Sequence, residues 1–151
     1  MIKVVMVCLG NICRSPLAEG ILQSKVSKNI LVKSAGTADY HVGQLPDKRS
    51  IAVAKKHGID ISKQRCIHYS KNQLKEFKYI DIMDKSNYEN VIKLASSEND
   101  KQKVKLILNE SHPHKNLEVT DPYYGGDEGF ENVYQLLDEA CEIISNKLKT
   151  D

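Results

Sequence analysis

The chain has 151 residues, of which 40% are hydrophobic, and its 22 Lys and Arg residues nearly balance its 20 Asp and Glu residues. This length fits one domain over residues 1–151, and the scattered charge excludes a nucleic-acid-binding stripe or an acidic tail. No apolar run reaches the ~20 residues of a membrane span or resembles a signal peptide, so we expect a cytoplasmic protein without nucleic-acid or membrane partners. Four cysteines without a C-x-x-C pair are too few for a disulfide framework and indicate buried, catalytic or redox-sensing thiols.

Hydrophobic periodicity predicts strands and helices that alternate along the chain. The predicted elements in chain order are a strand at 2–9, a helix from 16, a strand at 30–34, a helix at 46–57, strands at 79–83 and 104–108 separated by a helix at 86–95, and a long final helix whose apolar face runs from 130 to 148. This alternation implies a parallel sheet with helices on both faces. Ligands of such sheets bind at the carboxyl ends of the strands, so the loop after the first strand is the first candidate site.

Residues 8–16 (CLGNICRSP) form that loop. Pro16 suits the first position of a helix, and Ser15 before it is then the expected N-cap. Gly10 and Asn11 are residue types that tolerate left-handed backbone. A tight loop of this composition can turn its N–H groups inward and, with the helix N-terminus behind it, bind an anion.

Two side chains of this loop suggest phosphate chemistry. Cys8 ends the strand at the base of the loop, where inward amides and a helix N-terminus favour a nucleophilic thiolate. Arg14 follows after five intervening residues, and its planar guanidinium can grip two oxygens of a tetrahedral anion. Ser15 can donate a hydrogen bond to the thiolate. A lone cysteine at a strand end is usually core packing, but the nine residues together favour a phosphate cradle with a nucleophile at its base.

Residues 7–19 (VCLGNICRSPLAE) resemble the signature of the low-molecular-weight protein tyrosine phosphatases, and the resemblance extends over essentially the whole chain. It includes residues 34–37 (SAGT), residues 46–59, residues 79–84 (YIDIMD) with Asn87, and residues 121–124 (DPYY). The resemblance implies a three-layer, flavodoxin-like, doubly wound α/β fold with a four-stranded parallel sheet of order 2-1-3-4.

The resemblance also implies a metal-independent mechanism without a cofactor. Cys8 would attack phosphorus and form a phosphocysteine, Arg14 and the loop amides would stabilise the equatorial oxygens, and Asp121 would protonate the departing phenolate. The residues expected to bind phosphate or support the loop are Leu9, Gly10, Asn11, Ile12, Cys13, Ser15, Ser34 and Asp84. Asn11 would tie the loop into shape with Ser34 as its partner, and Asp84 would lie behind the loop or cap the next helix.

Tyrosines and a second loop cysteine complete the expected site. Tyr40, Tyr123 and Tyr124, with Leu9 and Ile12, would line the mouth of the cleft, and Tyr40 would stack on the substrate ring. In the family, the cysteine at the position of Cys13 can form a disulfide with the nucleophile, which protects it from over-oxidation. Cys66 and Cys141 are interpreted as ordinary buried thiols. The expected partners are tyrosine-phosphorylated proteins, with phosphate and other oxyanions as inhibitors, and the expected state is a monomer.

Four alternatives remain to be weighed. Arsenate reductases share the cradle but have a further cysteine pair near the third strand, where this chain has Asp84. Phosphoarginine phosphatases have Thr at the position of Ile12, so that activity ranks second. A non-catalytic phosphopeptide-binding module would be expected to lack Cys8, Arg14 or Asp121. A zinc site at Cys8 and Cys13 lacks a second pair of ligands.

Overall fold

The computed structural model describes residues 1–123 and 125–149. Its elements in chain order are β1 Ile2–Cys8, α1 Arg14–Lys25, β2 Ile30–Gly36, α2 Lys48–Lys56, α3 Lys71–Glu76, β3 Tyr79–Ile82, α4 Lys85–Ile92, α5 Glu98–Gln102, β4 Val104–Leu106, α6 Leu108–Ser111 and α7 Gly126–Leu148. None of the helices within these described residues is long and apolar enough to span a membrane.

The four strands form one parallel sheet of order β2-β1-β3-β4, as expected. One hydrophobic cluster packs α1, α2 and α7 on one face of the sheet, and a second packs α3 and α4 on the other. The sheet register places Cys8 opposite Gly36 of β2, and Val7 opposite Ile82 of β3. The carboxyl ends of three strands therefore meet beside Cys8, where the strand order switches.

The four predicted strands and the four predicted helices are all present, but three short helices were not predicted. Those three, α3, α5 and α6, span only four to six residues, too few to show a helical period. Local capping defines two of them: Ser70 forms a capping box with Gln73, and Ser97 accepts from the amide of Asp100. The polar segment predicted as a loop from residue 111 is preceded by α6, which packs on α7.

Asp81 is a buried carboxyl in the middle of β3. It is only 4% exposed, opposite Met6 of β1 in the sheet register. Burial, with a further contribution from Glu110, raises its pKa to about 7, although Lys105 and Lys147 act in the opposite direction. The folded protein therefore holds a proton on Asp81 that the unfolded chain has already released above pH ~4.

We expect the free energy of unfolding to fall as pH rises from about 4 to about 7, because over this range the unfolded chain loses the Asp81 proton while the folded protein keeps it. Asp81→Asn removes this penalty and should stabilise the protein by roughly 2–4 kcal/mol at pH 8, with little effect at pH 4. Urea denaturation at both pH values measures the difference. Asp39→Asn, at an exposed aspartate, is the control, and an equal effect of Asp81→Asn at the two pH values would contradict the prediction.

Candidate active site

Cys8 lies at the end of β1, buried beneath the loop of residues 9–13. Its Sγ is 3.0 Å from Ser15 Oγ, and Asn11 Nδ2 donates to the same Ser15 oxygen at 2.8 Å. Because the Ser15 oxygen accepts from Asn11, its own hydroxyl proton remains available for the sulfur, although either atom of this contact can be the donor. The contact places the Ser15 hydroxyl where it can serve Cys8, and its predicted donation to a thiolate stays a prediction.

The predicted capping role of Ser15 is wrong. Helix α1 begins at Arg14 with Cys13 at the N-cap position, and no side chain caps it. Ser15 is instead occupied by Cys8 and Asn11, so its hydroxyl is not available to the helix amides. Pro16 consequently occupies the third helical position rather than the first, where its missing N–H is still harmless.

Asn11 has a left-handed backbone with φ of 57°, as predicted, whereas Gly10 does not take a positive φ. The Oδ1 of Asn11 accepts from the Ile67 amide at 2.9 Å, so the Asn11 side chain connects the loop to the segment before α3. The expected partnership with Ser34 is wrong. In the sheet register Ser34 lies opposite Met6, below the loop, and its hydroxyl donates to Glu19 Oε1 at 2.7 Å.

Two further contacts shape the loop and were not predicted. The Cys66 thiol donates to the carbonyl oxygen of Asn11 at 2.8 Å, so this cysteine supports the loop from behind. Gly36 lies so close to the loop that a Cβ there would be 2.9 Å from Leu9 O and from the Gly10 carbonyl carbon. Neither contact has a signal in the sequence, because each depends on how distant segments pack.

Arg14 is buried, with 3% exposure, and reaches across the carboxyl ends of the strands. Its Nη1 donates to Asp84 Oδ2 at 2.7 Å and to the carbonyl oxygen of Val119 at 2.8 Å. Burial lowers the pKa of Arg14, but Cys8 and Asp84 outweigh it and raise that pKa above its usual value. Asp84 also caps α4 by accepting from the Asn87 amide, so both roles expected for it are present.

A cavity of about 330 Å³ opens above the loop. Its lining residues are Cys8, Leu9, Gly10, Ile12, Cys13, Arg14, Tyr40, His41, Asp121 and Tyr123. The structure thus brings the predicted nucleophile, arginine and acid together with all but one of the predicted cleft residues. His41 was not predicted, and Tyr124 lies outside the described residues.

Asp121 stands at the rim of this cavity, on the exposed loop before α7. Its Oδ1 accepts from the Tyr123 amide at 3.0 Å, a contact that does not involve Oδ2. Tyr40 is 61% exposed and its ring meets that of His41 edge-on. An exposed aromatic beside a carboxyl at the mouth suits a ligand that carries both a ring and a transferable group.

Cys13 is a buried thiol in the same lining. Burial, with Asp47 and Asp121 adding to it, raises the pKa of Cys13 far above the ordinary value. Cys13 is therefore a neutral thiol in the same cavity lining as Cys8. Its pairing with Cys8 on oxidation stays a prediction.

A larger cavity of about 630 Å³ lies elsewhere, between α4, β4 and α6. Within the part of the chain that the structure describes, its lining mixes lysines with glutamates and includes no cysteine. Residues 1–123 and 125–149 also contain no group of three or more His, Cys, Asp or Glu side chains placed to hold a metal ion. The smaller cavity is the candidate active site, because of these two cavities it is the one lined by the predicted nucleophile Cys8 and by the loop predicted to bind an anion.

Comparisons with known proteins agree with the phosphate chemistry that the geometry of this cavity indicates. The family model described as "Low molecular weight phosphotyrosine protein phosphatase" matches residues 3–151. The low molecular weight phosphotyrosine protein phosphatase of Schizosaccharomyces pombe is 41% identical to this chain, and the match covers 96% of each of the two chains. A protein tyrosine phosphatase of Entamoeba histolytica superposes with a TM-score of 0.92 at 36% identity, over 99% of this chain and 98% of that one.

The chain belongs to the low molecular weight phosphotyrosine protein phosphatase family. Another solved structure, Wzb of Vibrio vulnificus in complex with benzylphosphonate, has a TM-score of 0.87 at 30% identity, over 97% of this chain and 98% of that one. The resemblance carried by residues 7–19 is thereby confirmed, as is the doubly wound fold. As a member of the low molecular weight phosphotyrosine protein phosphatases, the chain is a protein tyrosine phosphatase.

Proposed function

We propose that this enzyme hydrolyses phosphotyrosine in proteins, and small aryl phosphates, through a phosphocysteine formed on Cys8. The observation that carries the proposal is the single cavity shared by Cys8, Arg14 and Asp121. It provides a nucleophile at the base, a cation for the equatorial oxygens and an acid at the rim, which are the groups that phosphoryl transfer requires.

In the first step, Cys8 Sγ attacks phosphorus in line with the leaving oxygen. The S–P bond forms while the P–O bond to the tyrosyl oxygen breaks, and Asp121 donates its proton to that oxygen. In the second step, the Asp121 carboxylate takes a proton from water, whose oxygen attacks phosphorus. The S–P bond breaks, inorganic phosphate leaves, and the Ser15 hydroxyl stabilises the departing Cys8 thiolate.

The guanidinium of Arg14 is oriented by its two internal hydrogen bonds. Because Nη1 donates to both Asp84 and Val119, the N–H groups on Nε and Nη2 remain for two oxygens of the phosphoryl group. Such a bidentate contact strengthens as negative charge spreads over the equatorial oxygens. Arg14 thus favours the transition state over bound substrate.

The substrate class follows from the rest of the lining. Leu9, Ile12 and Tyr40 give the mouth apolar and aromatic surface for a phenyl ring. The benzylphosphonate bound by the Vibrio vulnificus relative combines a ring with a phosphonate, which supports an aryl phosphate here. Phosphate and related oxyanions would inhibit by occupying the cradle.

Ile12 separates this proposal from phosphoarginine hydrolysis. An apolar side chain at the cavity wall offers no hydrogen-bond acceptor to a guanidinium. Arsenate reduction needs further cysteine thiols that supply two electrons to the arsenic on the nucleophile and are oxidised to a disulfide. Cys66 instead bonds the Asn11 carbonyl, and Cys141 is buried in the core under α7.

Hydrolysis of a phosphotyrosyl peptide in EDTA, compared with phosphoarginine and phosphoserine, tests the proposal. We expect the phosphotyrosyl peptide to be strongly preferred, with a bell-shaped pH profile of kcat/KM. Asp121→Asn should lower kcat/KM for the peptide by about 100-fold and remove the alkaline limb, because the proton donor is lost. Faster cleavage of phosphoarginine would overturn the assignment of substrate, and an unchanged rate and profile in Asp121→Asn would overturn the role of the acid.

A further inference from the structure

Arg49 lies in the first turn of α2 and does not line the cavity, yet it contacts the loop that carries Asp121. Its Nη1 donates to the carbonyl oxygen of Tyr123 at 2.7 Å. Its guanidinium carbon is 5.1 Å from the ring centroid of Tyr123 and 4.5 Å from that of Phe130 in α7. One side chain thus joins α2 to the acid loop and to the helix that follows it.

Asp47 holds that guanidinium in place. Arg49 Nε donates to Asp47 Oδ1, and Arg49 Nη2 donates to Asp47 Oδ2, both at 3.1 Å. Asp47 Oδ1 also accepts from the Arg49 amide at 2.8 Å, which caps α2. With all three guanidinium nitrogens engaged, the orientation of the side chain is restricted to the one that reaches Tyr123.

The same turn of α2 is also bonded to the phosphate loop. The Asp47 amide donates to the carbonyl oxygen of Ile12 at 2.7 Å, and Ser50 Oγ donates to that of Cys13 at 3.2 Å. A continuous series of hydrogen bonds therefore runs from the phosphate loop through Asp47 and Arg49 to Tyr123. Tyr123 in turn donates its amide to Asp121 Oδ1 at 3.0 Å.

We propose that Arg49, oriented by Asp47, is a positioning residue that holds the Asp121 loop at a set distance from the phosphate loop. This inference rests on the proposed function, in which Asp121 delivers the proton to the leaving oxygen. A general acid acts only within hydrogen-bond distance of the atom it protonates, and a displacement of ~1 Å can cost up to ~10²-fold in rate. The Asp121 loop is exposed, so its geometry depends on such an anchor.

The dependence of rate on the leaving group gives a readout specific to proton delivery. Phenolate needs the proton far more than 4-nitrophenolate, which leaves readily as an anion. In Arg49→Met we expect kcat/KM to fall about 10-fold for phenyl phosphate and less than about threefold for 4-nitrophenyl phosphate. The fall of kcat/KM on the alkaline side of the pH profile for phenyl phosphate should also become weaker. This change should be in the same direction as in Asp121→Asn, but smaller.

Three further variants separate positioning from other effects. Arg49→Lys keeps the charge but cannot bond both Asp47 oxygens and Tyr123, so it should resemble Arg49→Met. Asp47→Asn keeps an N-cap for α2 but loses the ion pair, so it should change the substrate ratio in the same direction by a smaller factor. Arg65→Met is the control, because the side-chain bonds that exposed Arg65 makes within residues 1–123 and 125–149 are to the nearby carbonyls of Ser62 and Gln64.

Hydrogen exchange of the Tyr123 and Gly125 amides supplies a readout independent of activity, and both should exchange faster in Arg49→Met. An equal loss of kcat/KM for both substrates, or full activity in Arg49→Lys, would overturn the positioning role. Unchanged exchange would overturn the anchoring itself. A parent enzyme without Cys8-dependent hydrolysis would refute the proposed function, and the proton-delivery role of Arg49 with it.

Discussion

Cys8→Ser is expected to abolish hydrolysis of 4-nitrophenyl phosphate in EDTA, with a loss on the order of 10⁴-fold or more. A serine hydroxyl is protonated at any working pH and needs an adjacent base to become a nucleophile. The group next to the Cys8 sulfur is the Ser15 hydroxyl, which is not a base. Nothing in that arrangement would activate a serine.

The cradle itself should survive this substitution, because the loop is held by Asn11 and by the support from residues 66–67 rather than by the thiol of Cys8. Orthovanadate or phosphate should therefore still raise the melting temperature of Cys8→Ser, as for the parent. Cys141→Ala, at a buried thiol that does not line the cavity, is the matched control and should keep its activity. Hydrolysis by Cys8→Ser at a tenth of the parental rate would place the nucleophile elsewhere.

Arg14→Lys should lower kcat/KM for the same substrate by about 10³-fold, although the charge is retained. One ammonium cannot bond Asp84, the Val119 carbonyl and two phosphoryl oxygens at once, whereas the guanidinium can. Since the contact strengthens in the transition state, the loss should appear in kcat as well as in KM. Steady-state kinetics at the pH optimum of the parent measure both.

Asp84→Asn is the comparison for this variant. Asparagine can still cap α4, so the substitution removes the charge behind Arg14 without removing the cap. We expect a loss of about 10-fold, because Arg14 keeps its bond to Val119 and its contact with substrate. Equal losses in Arg14→Lys and Asp84→Asn would mean that Arg14 only supports the loop.

Much of the fold could be predicted because its signals are local. The β-branched run that forms β1 and the apolar face of α7 from Phe130 to Leu148 each encode an element through neighbours a few positions apart. The short helices escaped prediction for the converse reason, since four to six residues hold little pattern. The left-handed backbone of Asn11 was predictable from residue type alone.

The candidate site also combines features that local sequence predicts with contacts that depend on packing. Cys8, Arg14 and Ser15 lie close together in the chain, and the patterns of a strand, a turn and a helix around them are enough to indicate an anion cradle. The expected contact between Asn11 and Ser34 failed, because the register of β2 places Ser34 two residues below the end of β1, facing Glu19. Register is a property of two strands and their packing, so neither strand alone specifies it.

The sequence by itself predicted the order of strands and helices along the chain and the loop of residues 8–16, with Cys8 as the candidate nucleophile and Arg14 as the candidate phosphate-binding group. Only the tertiary structure decided that Cys66 supports Asn11, that Ser15 serves the thiol rather than the helix, and that Arg49 meets the loop of Asp121. The physical reason is separation along the chain. A turn or a periodic face is encoded by adjacent residues, whereas a hydrogen bond between residues 74 positions apart exists only after the core has packed α2 beside the acid loop.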